Sequence, residues 1–540
     1  MSDTLALPAA SPPAAPAAPP QTIPWLGLAA VLLGTFISTL NGRLSTFGLA
    51  DIRGAMHAGF DEGAWITTAQ TVAQMLVAPL AIWVGTIYGP RRVLLGAALA
   101  FSVISAIEPL STNLPMLLGL QFMSGLTSGC FVPLTLSFIL RNVPPKYWAW
   151  GIAIYALNLE LSLNISASLE GWYVENLSWR WIFWQNVPLA LGMALCLYLG
   201  VTPFPRQANT PRPDLYGLAT SGLGLALIYA GLDQGNRLDW LNSGLVWGLM
   251  LAGAILLAGF FVHEGRTKNP LIDLKVAFAP PLPRLLVLIG FLRLTILSTA
   301  YLIPQYLGTV RGFRALEVGQ TLWWIAAPQL IFCPLAALML RRTDPRLVSS
   351  IGFIFVAIAC LMVAHGLTPL WSSDQFLPSQ LLQAIGQSFA LSGILFFAVL
   401  HLRPQDALTF GAAVQTARLM GGQIGQAFIV TLTRVRSQHA SNLIGLHIHA
   451  GDGAVMQRLA AYAQVAGRTG ADPATAAGRA ATLLGGIVRS AASTQGVIDG
   501  FVAIGALTAF ALLIVVAHKP APIGPASHLP LFQRHPGAPG

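Results

Sequence analysis

The sequence predicts an all-α integral membrane protein, and two features of its composition lead to that prediction. The chain has 540 residues, of which 55% are hydrophobic and only 9% are charged. Soluble domains carry about a quarter charged residues, so this chain could not cover a water-exposed surface. Its apolar residues also fall into long runs, which is typical of helices that cross a bilayer. We therefore expect a multi-pass helical protein embedded in a lipid bilayer.

Fourteen apolar runs are long enough to cross the hydrocarbon layer, which requires about 20 residues per helix. An even number of spans places both termini on the same side of the membrane. The runs lie at 25–47, 63–84, 92–110, 114–140, 147–173, 181–202, 214–233, 243–263, 284–308, 317–340, 347–369, 376–401, 407–433 and 496–517.

Basic residues in the short loops give the orientation. When the N-terminus is cytoplasmic, most Arg and Lys side chains of these loops, such as Arg91, Arg92 and Arg341, fall on the cytoplasmic side, as the positive-inside rule requires. The net charge of +10 is then a topology signal and not a nucleic-acid surface. We predict a protein of the inner cell membrane with both termini in the cytoplasm.

Two terminal segments and one long connection lie outside the predicted spans. Residues 1–24 are rich in Pro and Ala and are predicted to form a disordered cytoplasmic tail, and residues 518–540 form a second cytoplasmic tail. Residues 434–495 form a long connection with helical periodicity, which predicts amphipathic helices at the outer face. Its histidines His439, His447 and His449 have no acidic or cysteine partners in the pattern, so no metal site is predicted.

Motifs for enzymatic chemistry are absent from the sequence. It contains no G-x-x-x-x-G-K-[ST] nucleotide loop, no H-E-x-x-H and no G-x-S-x-G. We therefore expect neither direct use of ATP nor another catalytic activity, and we expect no cofactor.

Four motifs resemble those of a transporter family. They are WRWIFWQNVP at 179–188, LQAIGQSFALSG at 382–393, ARLMGGQIGQAF at 417–428 and STQGVIDGF at 493–501. Together they resemble the major facilitator superfamily, in its fourteen-span drug:proton antiporter branch (EmrB/QacA type), over about residues 25–517. The resemblance implies two six-helix halves, 25–203 and 284–517, around a central cavity, with an inserted helix pair at 214–263.

The same resemblance implies partners and a mode of action. Members of the branch work by alternating access, in which one half rocks against the other around a site at the bilayer midplane. They act on small-molecule substrates, usually as monomers, and Gram-negative members use a periplasmic membrane-fusion adaptor.

Several positions depart from the family pattern. Asn41 stands where the branch has an acid in the first span, and Arg43 stands where it has threonine. Gln121 replaces the arginine of the fourth span, and Glu170 replaces a glycine of the fifth-span antiporter motif. The loop after the second span, a gating loop in the family, keeps Gly89 and Arg91 and adds Arg92.

Ionisable residues at membrane depth are the main functional candidates. A charge at the middle of a membrane helix costs at least about 2.5–3.5 kcal/mol, so it persists where it faces a cavity or a partner. The predicted substrate and coupling residues are Asn41, Arg43, Gln121, Glu160, Asn164, Glu170, Arg293, Gln305 and Arg418.

Each charge also has a structural interpretation. Glu160 at mid-depth is expected to pair with Arg43, because the first and fifth spans are neighbours in the related fold; this pair could titrate during transport or be purely structural. Glu170 near the outer end could be a solvated carboxylate, and Arg418 could anchor its helix. Arg293 lies in a span that lines the cavity of the related fold, which favours a substrate or coupling role.

The predicted function is a secondary active exporter of small amphipathic or organic-anion compounds, coupled to protons through this non-standard set of charges. Two alternatives stay open. One is a facilitator or exchanger without proton coupling, because the usual first-span acid is absent. The other is a transport-inactive sensor or scaffold.

Overall fold

The computed structural model describes residues 25–144, 147–201, 214–267, 282–401, 407–448, 452–468 and 472–519. The predicted tail at 1–24 and most of the tail at 518–540 lie outside these residues. The described segments are helical, as the lipid environment demands, because a helix satisfies its own backbone hydrogen bonds where no water is present.

The described residues contain twenty α-helices, which are numbered here in chain order. They are α1 Trp25–Phe47, α2 Leu49–Ala55, α3 Phe60–Gly63, α4 Trp65–Tyr88, α5 Pro90–Ile107, α6 Leu114–Ser128, α7 Phe131–Asn142, α8 Trp148–Asn176, α9 Trp181–Trp184, α10 Asn186–Gly200, α11 Leu215–Gly235, α12 Gly244–Glu264, α13 Leu282–Thr295, α14 Ile303–Thr309, α15 Ala315–Leu340, α16 Pro345–Gly366, α17 Ser373–Val399, α18 Ala407–Gly445, α19 Gly453–Gly467 and α20 Pro473–Val516.

All fourteen predicted span positions are occupied by helix. Twelve helical stretches of the described chain are long and apolar enough to cross a membrane. Helices α4 and α18, at the positions of the second and thirteenth predicted spans, are not among these twelve. The all-α membrane fold is thus confirmed, and the count of fourteen spans stays a prediction.

Two ends of the bundle can be told apart by their contacts. The end that holds the start of α1 and the end of α20 is called the terminal face; there the Phe397 ring contacts the His518 ring, with centroids 5.9 Å apart. The opposite end is called the far face; there Arg237 forms a 2.6 Å ion pair with Asp61.

The N half, α1–α10, and the C half, α13–α20, pack against each other along two seams. Helix α8 packs along α15 on one side, and α4 and α7 meet α18 on the other. At the first seam, a Cβ on Gly171 would overlap the backbone of Leu316, and a Cβ on Gly319 would overlap the backbone of Ser168. Small residues here let the two helices approach closely, as is common between membrane helices.

Between the middle of the bundle and the terminal face, one apolar cluster contains residues of both halves. It contains Phe131 and Phe138 of the N half together with Phe396, Phe397 and Phe410 of the C half. The two halves therefore pack against each other through apolar side chains on the terminal side.

The predicted outer segment 434–495 is largely helical, but its helices are not separate from the neighbouring spans. Helix α18 runs without a break to Gly445, and α20 begins already at Pro473. The two helices pack against each other, and α19 packs on α20. The spans predicted at 407–433 and 496–517 are therefore parts of longer helices, because the intervening sequence keeps helical periodicity.

The ninth predicted span is irregular. Between α13 and α14, residues Ser298–Leu302 form one turn of π-helix. Such a turn inserts an extra residue into the helix and often marks a functional position.

Candidate functional site

A cavity of about 230 Å³ lies between the two halves. Its wall includes residues of α1, α4, α8, α11, α13, the π-helical turn and α18, so both halves and the inserted pair contribute. Three of the predicted residues, Arg43, Arg293 and Arg418, line it together. The sequence had placed them in three different spans.

The three guanidinium groups form one electrostatic cluster. Arg293 lies close enough to both Arg43 and Arg418 for their charges to repel it. Among the described residues, none of the three forms a salt bridge, and the Nε atom of each is buried without a hydrogen-bond partner. Each of the three arginines therefore keeps a buried N–H donor for which the described chain supplies no acceptor.

Neutral groups satisfy part of the cluster. Arg43 donates from Nη2 to the carbonyl oxygen of Ala300 over 3.1 Å, and its guanidinium lies 5.0 Å from the centre of the Phe47 ring. Arg418 donates to Thr39 Oγ1 over 3.2 Å and to Gln415 Oε1 over 2.8 Å. The bonds to Ala300 and Thr39 each join one half to the other.

Glu160 is completely buried on α8, beside this cluster. Its carboxylate oxygens have no hydrogen-bond partner in the described chain, and the basic side chains that attract it are Arg293 and Arg418. The expected pairing with Arg43 is wrong. Arg43 instead bonds to Ala300 in the C half, so the neighbour relation of the first and fifth spans did not decide the partner.

Asn164, one turn beyond Glu160, belongs to a buried network of amides. Asn164 Nδ2 donates to Gln329 Oε1 over 3.2 Å, and Gln329 Nε2 donates to Gln387 Oε1 over 3.4 Å. Gln387 in turn donates to Thr299 of the π-helical turn over 3.0 Å. The network runs from the N half to the irregular helix of the C half.

Two predicted residues lie inside the N half and do not line the cavity. Asn41 donates to Ser124 Oγ over 3.3 Å and accepts from Asn186 Nδ2 over 2.7 Å. Gln121 is completely buried, and its amide has no hydrogen-bond partner among the described residues. The structure therefore gives Asn41 a role in tying three helices of one half together.

Two other predicted residues lie towards the far face. Glu170 is 1% exposed, beside Gly48, and does not line the central cavity. Because its side chain is buried, Glu170 does not occupy the solvated position that was one interpretation of this residue. Gln305 lines a second cavity of about 270 Å³ between α14, α18 and α20. Tyr301 lines both cavities.

The predicted gating loop lies between α4 and α5. Gly89 has a φ of +80°, which favours glycine, and it directly precedes α5 as its N-cap. Arg91 donates to the carbonyl oxygens of Leu197 over 3.3 Å and Tyr198 over 2.9 Å, near the end of α10, whereas Arg92 is exposed.

Sequence reasoning missed two cavity residues of the inserted pair, Tyr229 and Asp233. They lie four residues apart on α11 and therefore share a face. Asp233 was overlooked because it is the last residue of the predicted seventh span, where a carboxylate looks like part of a loop. The i, i+4 spacing of two polar residues on an otherwise apolar helix was the available signal.

Comparisons with known proteins agree with this geometry. The profile of the Major Facilitator Superfamily matches residues 31–426. Among relatives, a probable multidrug resistance protein, EmrY of Escherichia coli K12, is 28% identical over 432 residues, which cover 78% of this chain and 82% of EmrY. The multidrug export protein EmrB of the same organism is 24% identical over 417 residues, covering 77% and 81%. The fatty acid resistance protein FarB of Neisseria gonorrhoeae is 23% identical over 411 residues, covering 74% and 79%.

Solved structures support the fold. The proton:xylose symporter XylE superimposes with a TM-score of 0.58 at 11% identity, covering 94% of this chain and 98% of XylE. The human transporter MFSD10 gives a TM-score of 0.56 at 15% identity, covering 92% and 100%.

Proposed function

Since the chain belongs to the Major Facilitator Superfamily and is a membrane transporter and not an enzyme, we propose that it exports small amphipathic organic anions, with Glu160 linking transport to protons. Relatives named multidrug export and multidrug resistance proteins support the efflux class. The substrate class and the coupling are argued below from the cavity.

One observation carries the substrate class: three guanidinium groups without a salt bridge in the described chain line one cavity between the halves. The acidic lining residue is Asp233, whose oxygens are already hydrogen-bonded. A cation entering here would be repelled, whereas a carboxylate or sulfonate would accept charge-assisted hydrogen bonds from the arginines. The relative FarB, a fatty acid resistance protein, is named for resistance to amphipathic anions.

The proposed coupling rests on the division of charges between the halves. Glu160 belongs to the N half, and its attracting partners Arg293 and Arg418 belong to the C half. Rocking of one half against the other changes their separation. The protonation of Glu160 therefore depends on which conformation the protein adopts, and this is the link that proton coupling requires.

A second candidate, export without proton coupling, is favoured by the charge balance. The cavity arginines outnumber Glu160 and Asp233, so a bound monovalent anion would neutralise the excess. An interior-negative membrane potential also drives an anion outward, with about 2.3 kcal/mol per charge at 100 mV. The position of the usual first-span acid is Asn41, which does not line the cavity.

A transport assay tests the proposal. Efflux of the amphipathic anion 8-anilinonaphthalene-1-sulfonate and of the cation ethidium is measured from energised cells that lack their own pumps. We expect anion efflux, a loss of at least tenfold for Arg293→Gln and Arg418→Gln, and no loss for Arg341→Gln, which changes an exposed arginine.

Three results would decide against parts of the proposal. Export of ethidium in preference to the anion would contradict the proposal that the substrates are organic anions. Efflux that persists after the K⁺/H⁺ exchanger nigericin collapses the pH gradient but not the membrane potential would favour the uncoupled candidate. An absence of flux for both probes, with normal protein levels in the membrane, would favour the sensor or scaffold.

The proposed topology and assembly follow the same family. We place both termini in the cytoplasm, the chain in the inner membrane as a monomer, and a periplasmic adaptor at the far face, where α18 ends, α20 begins and α19 lies between them in sequence. Accessibility of single cysteines to a membrane-impermeant reagent tests the orientation.

A further inference from the structure

The inserted helix pair contacts both halves of the transporter through helix α11. Helix α11 packs on α4 of the N half and on α18 of the C half, whereas α12 packs mainly on α11. Helix α11 therefore lies between the two halves.

Asp233 is the residue of α11 that bonds to both halves. Its Oδ2 accepts hydrogen bonds from Thr68 Oγ1 on α4 and from Gln234 Nε2, the latter over 3.3 Å. Its Oδ1 accepts from Gln423 Nε2 on α18 over 3.1 Å. Gln234 also donates to Thr68 over 2.6 Å, which reinforces the N-half side.

The attachment to the N half is the more extensive of the two. Met75 of α4 forms an apolar cluster with Ala226 and Tyr229 of α11. A Cβ on Gly222 of α11 would lie 2.7 Å from the carbonyl oxygen of Leu76, so the helices are in close contact there. Beyond α11, Arg237 pairs with Asp61 of the N half over 2.6 Å.

Helix α11 packs less extensively on the C half, where Leu419 and Met420 of α18 contact the same apolar cluster. The segment after α11 adds polar contacts with α18. Thr431 donates to Asn236 Oδ1 over 3.4 Å and accepts from Trp240 Nε1 over 3.2 Å. Arg434 donates to the carbonyl oxygen of Asn236 over 3.4 Å and lies 3.7 Å from Asp239 Oδ1. Side-chain hydrogen bonds are individually weak enough to be broken during a transport cycle.

Rocking of rigid halves changes the distance between α4 and α18 at this depth. A side chain bonded to both helices cannot keep both bonds when that distance changes. We propose that the Asp233–Gln423 hydrogen bond is a latch that opens once in each transport cycle, and that α11 moves with the N half. Asp233 is thus a positioning residue: it acts through the helices it connects.

Cross-linking of two matched cysteine pairs tests this proposal. The pair Asn236→Cys with Thr431→Cys joins the inserted segment to the C half, and the pair Asp61→Cys with Arg237→Cys joins it to the N half. Both pairs replace side chains that are in contact in the structure. They are introduced into the full-length chain with the four native cysteines replaced, and a short bifunctional methanethiosulfonate reagent is applied in membranes.

The latch is then opened with Gln423→Leu, which removes the donor of the C half. We expect the yield of the Asn236–Thr431 cross-link to fall at least threefold and the yield of the Asp61–Arg237 cross-link to stay unchanged. The matched control is Gln426→Leu, on the same helix and cavity wall, where the amide has no bond to Asp233.

The readout does not require a known substrate, so it is independent of the proposed function. Equal yields of the first pair with and without Gln423→Leu would overturn the latch. A fall in the second pair but not in the first would show that α11 moves with the C half, which would also overturn the proposal. A fall with Gln426→Leu as large as that with Gln423→Leu would exclude a specific role for the Asp233 bond.

Discussion

The Asn164 side chain in the N half donates a hydrogen bond of 3.2 Å to Gln329 in the C half, at the middle of the bundle. Both residues are completely buried, so the bond forms away from water. It connects the helix that carries Glu160 to an amide network that ends at the π-helical turn. The two halves are therefore joined at the same depth as the charged cavity.

Asn164→Leu is expected to destabilise the protein. The change breaks the bond to Gln329 and leaves its buried oxygen without this donor, at a cost of about 1–3 kcal/mol. Thermal unfolding of the purified protein in detergent measures the effect. The control Asn176→Leu changes an exposed amide at the end of the same helix and should unfold at the wild-type temperature. Equal unfolding temperatures for all three proteins would contradict a structural role for the network.

Gly171→Val is expected to separate α8 from α15. A Cβ at this position would overlap the backbone of Leu316, and overpacking of this kind typically costs about 1–3 kcal/mol. We expect less folded protein by size-exclusion chromatography and a lower unfolding temperature. Gly192→Val is the control, because a Cβ there meets no atom within 4 Å. A normal elution profile for Gly171→Val would mean that the helices can part at little cost.

Glu160→Gln is expected to separate substrate exchange from proton coupling. The amide keeps the size of the side chain but cannot carry a proton between states. In proteoliposomes, accumulation of 8-anilinonaphthalene-1-sulfonate driven by an imposed pH gradient should fall at least tenfold, while exchange between equal concentrations continues. The exposed Glu175→Gln on the same helix should behave as wild type. Undiminished gradient-driven accumulation in Glu160→Gln would rule out Glu160 as the coupling group.

Gly89→Ala is expected to strain the loop between α4 and α5. The φ of +80° with a ψ of 146° is a conformation that residues with a Cβ rarely adopt, and such backbone strain costs about 1–3 kcal/mol. The unfolding temperature should fall for Gly89→Ala. It should be unchanged or rise for Gly96→Ala, within helix α5, where alanine is the better helix former and the space is open. A fall of the same size at both positions would argue against backbone strain.

Asp472 gives a pH dependence outside the membrane-spanning segments. Its carboxylate caps α20 by accepting from the hydroxyl of Thr475 and, over 3.2 Å, from the backbone N–H of Thr475, and these bonds lower the pKa of Asp472. A lowered folded-state pKa stabilises the helix start above the unfolded pKa, and this contribution is lost as pH falls through the folded value. Hydrogen exchange should therefore show fraying of residues 474–476 in acid, and at all pH values in Asp472→Ala. Identical protection of the wild type in acid and at neutral pH would contradict the cap.

The sequence located the helices well because lipid leaves little freedom: an apolar run of sufficient length can only be a helix. It also identified Arg43, Arg293 and Arg418 as candidates, because a charge at membrane depth is costly unless it faces a cavity or a partner. It did not predict where helices end once the polar outer segment begins. Periodicity continues from α18 past Thr433, so no change in composition marks the boundary.

Tertiary structure alone decided which of these groups meet. The basic groups that attract Glu160 are Arg293 and Arg418 of the C half and not Arg43. Asn41 bonds within its own half. Side-chain direction around each helix and the angle between helices determine these relations. Asp233 enters the cavity wall only because α11 lies between α4 and α18, a packing that no local pattern encodes. Composition determined that this chain spans a membrane, and it identified the ionisable residues at membrane depth. The packing of one half against the other determined which of these residues share a cavity.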